Sequence, residues 1–411
     1  MPAPTYDITD MTLPKREIDV LLKGGRVIDP AQGIDGIYDV GITRGKISLV
    51  EKDVKGLCYN IIDCKDKLIV PGFVDAHLHC FPSSHMSVPP DAGGIYAGVP
   101  TLIDGGSAGY QNFSDFYDRY ITQVPTDVYA QLHVHPVGQY AHGSGHHVHS
   151  EQWDPSIVKV QEYRVLETVE RYRDRIVGIK NRAIETFIEF KGTKGVEEHI
   201  KLCDQCKLPY AVHIGEAHGE HLTDDKINDV TRALLELMRP GDIITHCYTG
   251  KRGRMFREDG MFDDLIKKAI KRGVLLDACN GRTNFNSKSF KMAMKYGFKP
   301  DIISSDYTWL GLDKLQGHFT VNISRFLALG LTLNDVIAMT TINPAKAFGL
   351  ADRKGTLQVG RCADISVLDM YTGEFNFVDS IGGESFTGTQ MLSPFCTVRE
   401  GRVYHVIHKP S

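Results

Sequence analysis

Two histidines one residue apart, His77 and His79, close the apolar run LIVPGFVDAHLH. In an extended chain residues i and i+2 point to the same side, so both imidazoles can reach one ion. Other apolar runs end alike: RIVGIKNR carries Lys180, LPYAVHIGE His213, DIITHCYTG His246 and DIISSDYTW Asp306. One histidine on a buried strand is most often a satisfied core residue. Metal-compatible residues closing run after run point instead to cation binding. Lys180 needs its own argument, because a protonated amine repels a metal and is costly to bury. Burial favours the neutral amine. That amine can add carbon dioxide to give a carbamate, an anionic two-oxygen ligand able to bridge two cations. The plain alternative is a salt-bridging lysine at a strand tip. Two cations would lower the pKa of a shared water and provide a nucleophile near neutral pH.

These residues sit in a repeating pattern. Between residues 73 and 349, short apolar runs alternate with amphipathic stretches such as INDVTRALLELMRPGD and MFDDLIKKAIKRG. Continuous apolar strands alternating with helices predict a parallel sheet buried on both faces. Eight such units fit a (β/α)8 TIM barrel, an α/β fold whose active site lies at the C-terminal strand ends. The flanks, 1–72 and 350–411, carry short alternating runs broken by Gly and Asp, including DVGITRGKISLV and MLSPFCTVREGRVYHVI. They predict a small β-sandwich domain assembled from both termini.

Composition narrows the class. The chain has 411 residues, a formal net charge of −4 and 17 histidines, nine of them between His77 and His149. That balance gives no electrostatic footprint for nucleic acid. No run reaches the roughly 18 apolar residues of a membrane span, and the N-terminus shows no secretory signal. Nine cysteines, with Cys203-x-x-Cys206 the one close pair, read as reduced thiols of a cytoplasmic protein rather than a structural zinc site. A small-molecule substrate and a homo-oligomer are expected.

Nearly the whole chain resembles the amidohydrolase superfamily, through VPGFVDAHLH, GIKNR, AVHIGE, THCYTG and SSDYTW, with TTINPAKAFGL and GTLQVGRCADISVLD at the return into the small domain. TLIDGGSAG and the IK-x-R of the fourth run look most like the amidohydrolase/deacetylase metallohydrolases, relatives of dihydroorotase. The resemblance implies that His77, His79 and Asp306 hold the more buried of two divalent metals, and His213 and His246 the other. Carboxylated Lys180 would bridge them together with a hydroxide. Zinc suits this donor set, with manganese and iron as alternatives. It further implies that the hydroxide attacks a substrate carbonyl, while Asp306 takes its proton and passes it to the leaving group.

Substrate choice lives in the strand-end loops. After the seventh run, Asn280 stands in DACNGRTNF where the related deacetylases carry a histidine, and Tyr307 follows Asp306 with Thr308 and Trp309 as aromatic surface for a pocket. His135 closes the third run, and AHGSGHHVHS (His142, His146, His147, His149) follows it. His135 is the expected substrate contact, and the loop a lid, a source of substrate contacts or a third metal site. Arg182, two residues beyond Lys180, and the cluster Lys251, Arg252, Arg254 and Arg257 suggest a carboxylate-bearing substrate, the alternative for the cluster being a solvated loop. The leading expectation is a deacetylase or acyl hydrolase cleaving a C(=O)–N or C(=O)–O bond. Cyclic-amide hydrolysis of the dihydroorotase, hydantoinase or allantoinase kind is the alternative, and a non-catalytic scaffold a remote one.

Overall fold

A computed structural model describes residues 17–82, 87–139, 160–215, 221–309, 318–379 and 384–406. The chain opens with strands β1 (Glu17–Asp29), β2 (Ile34–Thr43), β3 (Lys46–Glu51), β4 (Leu57–Asp63) and β5 (Leu68–Pro71). The middle supplies β6 (Val74–Leu78), β7 (Thr101–Asp104), β8 (Asp127–His133), β9 (Ile176–Arg182), β10 (Tyr210–His213), β11 (Ile243–Thr245) and β12 (Leu275–Asp277). The chain closes with β13 (Ile365–Val378), β14 (Ser385–Arg399) and β15 (Arg402–His405).

β6 to β12 form one seven-stranded sheet in sequence order, parallel throughout. Nearly every residue in these strands is buried, as the unbroken apolar runs require for a sheet covered on both faces. Helices Gly192–Cys206, Asp224–Leu237 and Asp263–Arg272 follow β9, β10 and β11. The second of these starts where the Thr223 side chain accepts from Lys226 N, and the third stops at Gly273 with φ 100°.

The eighth apolar run does not form a regular strand, although its backbone bonds to both edges of the sheet. Asn280 N and Gly281 N donate to Ser304 O and Ser305 O on one side, while Asp306 N donates to His77 O and His79 N to Tyr307 O on the other. Side chains interrupt the ladder: Ser304 Oγ donates to Asp277 Oδ1 at 2.8 Å, and Ser305 N and Oγ both donate to Asp75.

The terminal strands join in a separate eight-stranded mixed sheet, β15-β14-β13-β5-β1-β2-β3 with β4 beside β1. Val40, Ile42 and Ile47 from one wing share a buried cluster with Val367, Cys396 and Val398 from the other, so the sheet curls over a core of its own. The two sheets are tied by hydrogen bonds from Phe73 N to Ser366 Oγ and from Gly72 N to Asp364 O. Lys354 adds a buried ion pair to Asp127 at 2.6 Å and another to Asp364.

Candidate functional site

The C-terminal ends of the parallel strands bring the polar residues together. His77 and His79 leave β6 with their rings 5.4 Å apart, and both turn Nε2 towards Asp306 Oδ1, at 3.6 and 3.2 Å. His246 follows β11, its ring 5.3 Å from that of His77 and 4.1 Å from that of His213 at the end of β10. His246 and Asp306 both have left-handed backbones, φ 61° and 52°. This conformation is uncommon for residues with a side chain and clusters at functional sites.

Hydrogen bonds behind the rings fix which nitrogen faces the centre. His246 Nδ1 lies 2.9 Å from the carbonyl oxygen of Cys279. A carbonyl can only accept, so Nδ1 carries the proton and Nε2 presents a lone pair. Among the described residues Nε2 has no hydrogen-bond partner, and Asp306 Oδ2 is 3.9 Å away. Thr245 Oγ1 donates to Asp277 Oδ2 at 2.8 Å and so can accept from His77 Nδ1 at 3.0 Å, which leaves the lone pair of His77 Nε2 facing the centre as well. His79 Nδ1 is held by Ser107 Oγ at 2.9 Å.

Charge states agree with this arrangement. Burial, reinforced by Lys180 for His77 and by His213 for His246, keeps both imidazoles neutral, well below their usual pKa. Burial pushes the Asp306 carboxyl up, but its contacts, the hydrogen bond from His79 first among them, hold it below its usual pKa and ionised. Lys180 is fully buried and forms no ion pair among the described residues. Its Nζ lies 3.2 Å from His77 Nε2, and burial pulls the amine down to about 8. Neutral imidazoles, an ionised carboxylate and a deprotonatable amine are the states a divalent cation needs, so these residues fit a metal site.

Two adjacent glycines make room for it. A Cβ on Gly105 would overlap the His77 ring, and one on Gly106 (φ 93°) would come within 2.7 Å of Lys180 Cγ. TLIDGGSAG is therefore glycine-rich for steric reasons.

Two contributors escaped the sequence reading. Cys279 Sγ is 3.1 Å from His77 Nδ1, and Cys279, His77, His246 and Asp306 form the one grouping of potential metal ligands among the described residues. The signal was present, since Cys279 lies two residues beyond the inward-facing Asp277. Asn284 Nδ2 donates to Asp306 Oδ2 at 3.2 Å from the loop after β12, and no strand periodicity points to it.

The expected substrate contacts fare unevenly. β9 does extend to Arg182, on the same side as Lys180. Asn280 is buried, with Oδ1 unpartnered. His135 lies beyond the end of β8, and burial pulls its imidazole down to about 4. His133, paired in register with Lys180, is the nearer of the two. Tyr307 does not line a pocket: its side chain is fully buried in the main core, and only its backbone oxygen meets His79. Of the basic cluster, Arg252 and Arg257 pair with Asp224 and Asp259, whereas Lys251 bonds Thr283 and Asn284. His142, His146, His147 and His149 lie outside the described residues. All nine cysteines are free thiols, and among the described residues no helix is long and apolar enough to cross a membrane.

Comparison with known proteins agrees with this geometry. A deacetylase of Agrobacterium fabrum is 30% identical over 325 residues, covering 79% of this chain and 76% of its own. A deacetylase of Enterococcus faecalis is 28% identical over 394 residues, covering 94% of this chain and 99% of its own. Among solved structures, an adenine deaminase superposes with a TM-score of 0.82 at 27% identity, over 94% of this chain and 100% of that one. A dihydroorotase superposes equally well, 0.82 at 26% identity, over 95% and 100%. These neighbours carry a TIM-barrel fold, and the kinship makes the protein a hydrolase of carbon–nitrogen bonds other than peptide bonds. The amidohydrolase family profile matches residues 68–407, and the chain belongs to the amidohydrolase family.

Proposed function

We propose that the protein is a metal-dependent, deacetylase-type hydrolase of an amide or ester bond in a small, carboxylate-bearing substrate. The observation that carries this reading is the convergence of the Nε2 lone pairs of His77 and His246 on the Asp306 carboxylate, beside an amine at Lys180 that has no ion pair among the described residues. In this reading β6–β12 and residues 302–307 close a (β/α)8 barrel spanning 73–349. The terminal segments 1–72 and 350–411 form a β-sandwich domain.

His77, His79 and Asp306 would hold one divalent cation and His213 and His246 a second, with Lys180 bridging as its carbamate. The carbamate forms as the amine nitrogen adds to carbon dioxide and a proton leaves. Zinc fits the mixed nitrogen and oxygen donors. Bound there, the cations supply an acidified water and an electrophilic partner for the acyl oxygen. Asp306 would take up a proton on Oδ2 and deliver it to the departing nitrogen or oxygen. Asn284 steadies Oδ2 during the transfer. Arg182 is the candidate partner for a substrate carboxylate. His135 and Asn280 are the remaining candidate contacts. The reduced thiols fit a cytoplasmic enzyme.

Asp306→Asn tests the reading: metal content should be largely kept and turnover should fall by about 10²–10⁴-fold. Near-wild-type turnover in that variant would overturn it. The dihydroorotase neighbour favours a second reading, cyclic-amide hydrolysis. N-acyl amino acids, acyl esters of hydroxy acids and cyclic amides run side by side would separate the two, since only the first two groups should turn over if the deacetylase reading holds.

A further inference from the structure

A cavity lies at the other end of the parallel sheet from the candidate site. Its volume is about 770 Å³, and its walls include Arg44, Lys46, Arg361, Arg399, Arg402 and Tyr404. Two hairpin turns build it. Thr43 pairs with Lys46 and Arg399 with Arg402, leaving two-residue loops Arg44-Gly45 and Glu400-Gly401. All four loop residues have positive φ (51°, 72°, 47° and 79°), the geometry of type I′ turns. The turns stack: a Cβ on Gly401 would lie 3.1 Å from Gly45 Cα. Two segments far apart in sequence thus bring their basic residues to one space. Pro125, just before β8, lines it too, which places it at the strand starts, away from His77 and Asp306.

The charge around this space is not balanced. Its carboxylates are Asp352 and Glu400, and they pair with Arg353 at 3.8 Å and Arg399 at 3.0 Å. Arg44, Lys46, Arg361 and Arg402 form no ion pair among the described residues. Arg399 also reaches Asp127 at 3.4 Å, yet its Nε is buried with no hydrogen-bond partner among the described residues. A buried unpartnered donor is rare in a finished structure and calls for a partner or a role. Like charges gathered in a recess raise the local anion concentration, and arginine forks match phosphate oxygens two at a time. The molecule as a whole has net charge −4, which disfavours a long polyanion. The cavity's volume suits a small ligand.

We propose that this cavity is a second binding site, for a small molecule carrying a diphosphate group. The phosphates would lie between Arg44, Arg399 and Arg402, with Tyr404 available to a base. The experiment is calorimetric titration of the full-length, metal-loaded protein with inorganic pyrophosphate and, in parallel, ADP. Both should bind, more weakly as salt rises, and tighter binding of ADP would show that a nucleoside adds contacts. The pair Arg44→Glu and Arg402→Glu, both on exposed turns, should weaken binding roughly tenfold or more while leaving hydrolytic turnover unchanged. Lys46→Gln alone should weaken it in the same direction, and serves if the double variant does not fold. Absence of binding up to millimolar ligand, or binding unchanged by these substitutions and therefore located elsewhere, such as at the metal site, would overturn the proposal.

Discussion

Asn284 donates through Nδ2 to Asp306 Oδ2, and Lys251 Nζ holds the opposite face of the same amide through Oδ1 at 2.8 Å. The lysine can only donate, so it fixes the amide's orientation and directs the NH2 at the carboxylate. Asn284→Ala should lower kcat by about 10-fold with bound metal retained, as expected for a partner that orients a functional carboxylate. Asn284→Asp, which sets a like charge beside Asp306, should cost more. Metal analysis alongside steady-state kinetics checks this. Metal loss that tracks the rate loss would instead make Asn284 a structural residue.

Gly105 offers a sharper test of packing at the site. Its backbone is not in the left-handed region, so substitution brings no backbone strain, only the overlap of a new methyl with the His77 ring. Gly105→Ala should therefore displace His77, reduce bound metal and abolish most turnover, while the fold survives. Gly241→Ala is the contrasting control. Gly241 has φ 87°, and a methyl added there would meet nothing within 4 Å, so that variant should lose about 1 kcal/mol of stability and keep its activity. Equal effects on metal content in the two variants would remove the steric account.

Much of the candidate site was legible in the sequence because a strand end is a simple place. His77, His79, Lys180, His213 and His246 each interrupt or close an apolar run, and the parallel register sets those ends side by side. The logic weakens where the backbone leaves the strand. Asp306 takes a left-handed turn, which breaks the alternation and sends Tyr307 into the core instead of a pocket. Asn284 reaches Asp306 from a loop, by tertiary packing that no local pattern encodes. The eighth run carried the apolar signal of a strand, yet Ser304 and Ser305 use their hydroxyls on buried aspartates, and regular pairing is reduced to an isolated bridge at Ile302.

Lys180 links metal loading to carbon dioxide. Among the described residues its buried amine has no carboxylate close enough for an ion pair, so the carbamate would provide the anionic ligand that the lysine itself cannot. Protein stripped by a chelator should be inactive. Reactivation with divalent metal should be faster and more complete when bicarbonate is present than in carbon-dioxide-free buffer. Lys180→Ala should bind less metal, and a short carboxylic acid should restore part of it. Metal uptake by the parent protein that ignores bicarbonate would rule the carbamate out.

The last prediction concerns the joint between the two sheets. Lys354 is buried between Asp127 at the start of β8 and Asp364 just before β13, and Arg175 and Arg399 also reach Asp127. Burial pushes the Asp127 carboxyl up, but Lys354, Arg399 and Arg175 together hold it well below the usual carboxylate range. A carboxylate whose pKa is depressed by folding contributes stability above its unfolded value, about 3.9, and that contribution is lost as pH falls through the folded value. For Lys354 the two aspartates outweigh burial and raise the pKa, so its contribution is complete below about 10.4 and is lost as pH rises through the folded value. Lys354→Met leaves Asp364 buried without its cation, which should destabilise the protein by about 3–5 kcal/mol near pH 7. The folded fraction should still turn over substrate, because Lys354 touches none of the residues around Asp306. Below about pH 3.9 the unfolded chain takes up a proton at Asp127 while the folded state still resists it, so the contribution of this ion pair fades and the gap in thermal midpoint between parent and variant should narrow. Thermal melts from pH 3 to 8 measure that gap directly, and a gap that stays constant down to pH 3 would mean that packing of the lysine stem, and not its charge, holds the two sheets together.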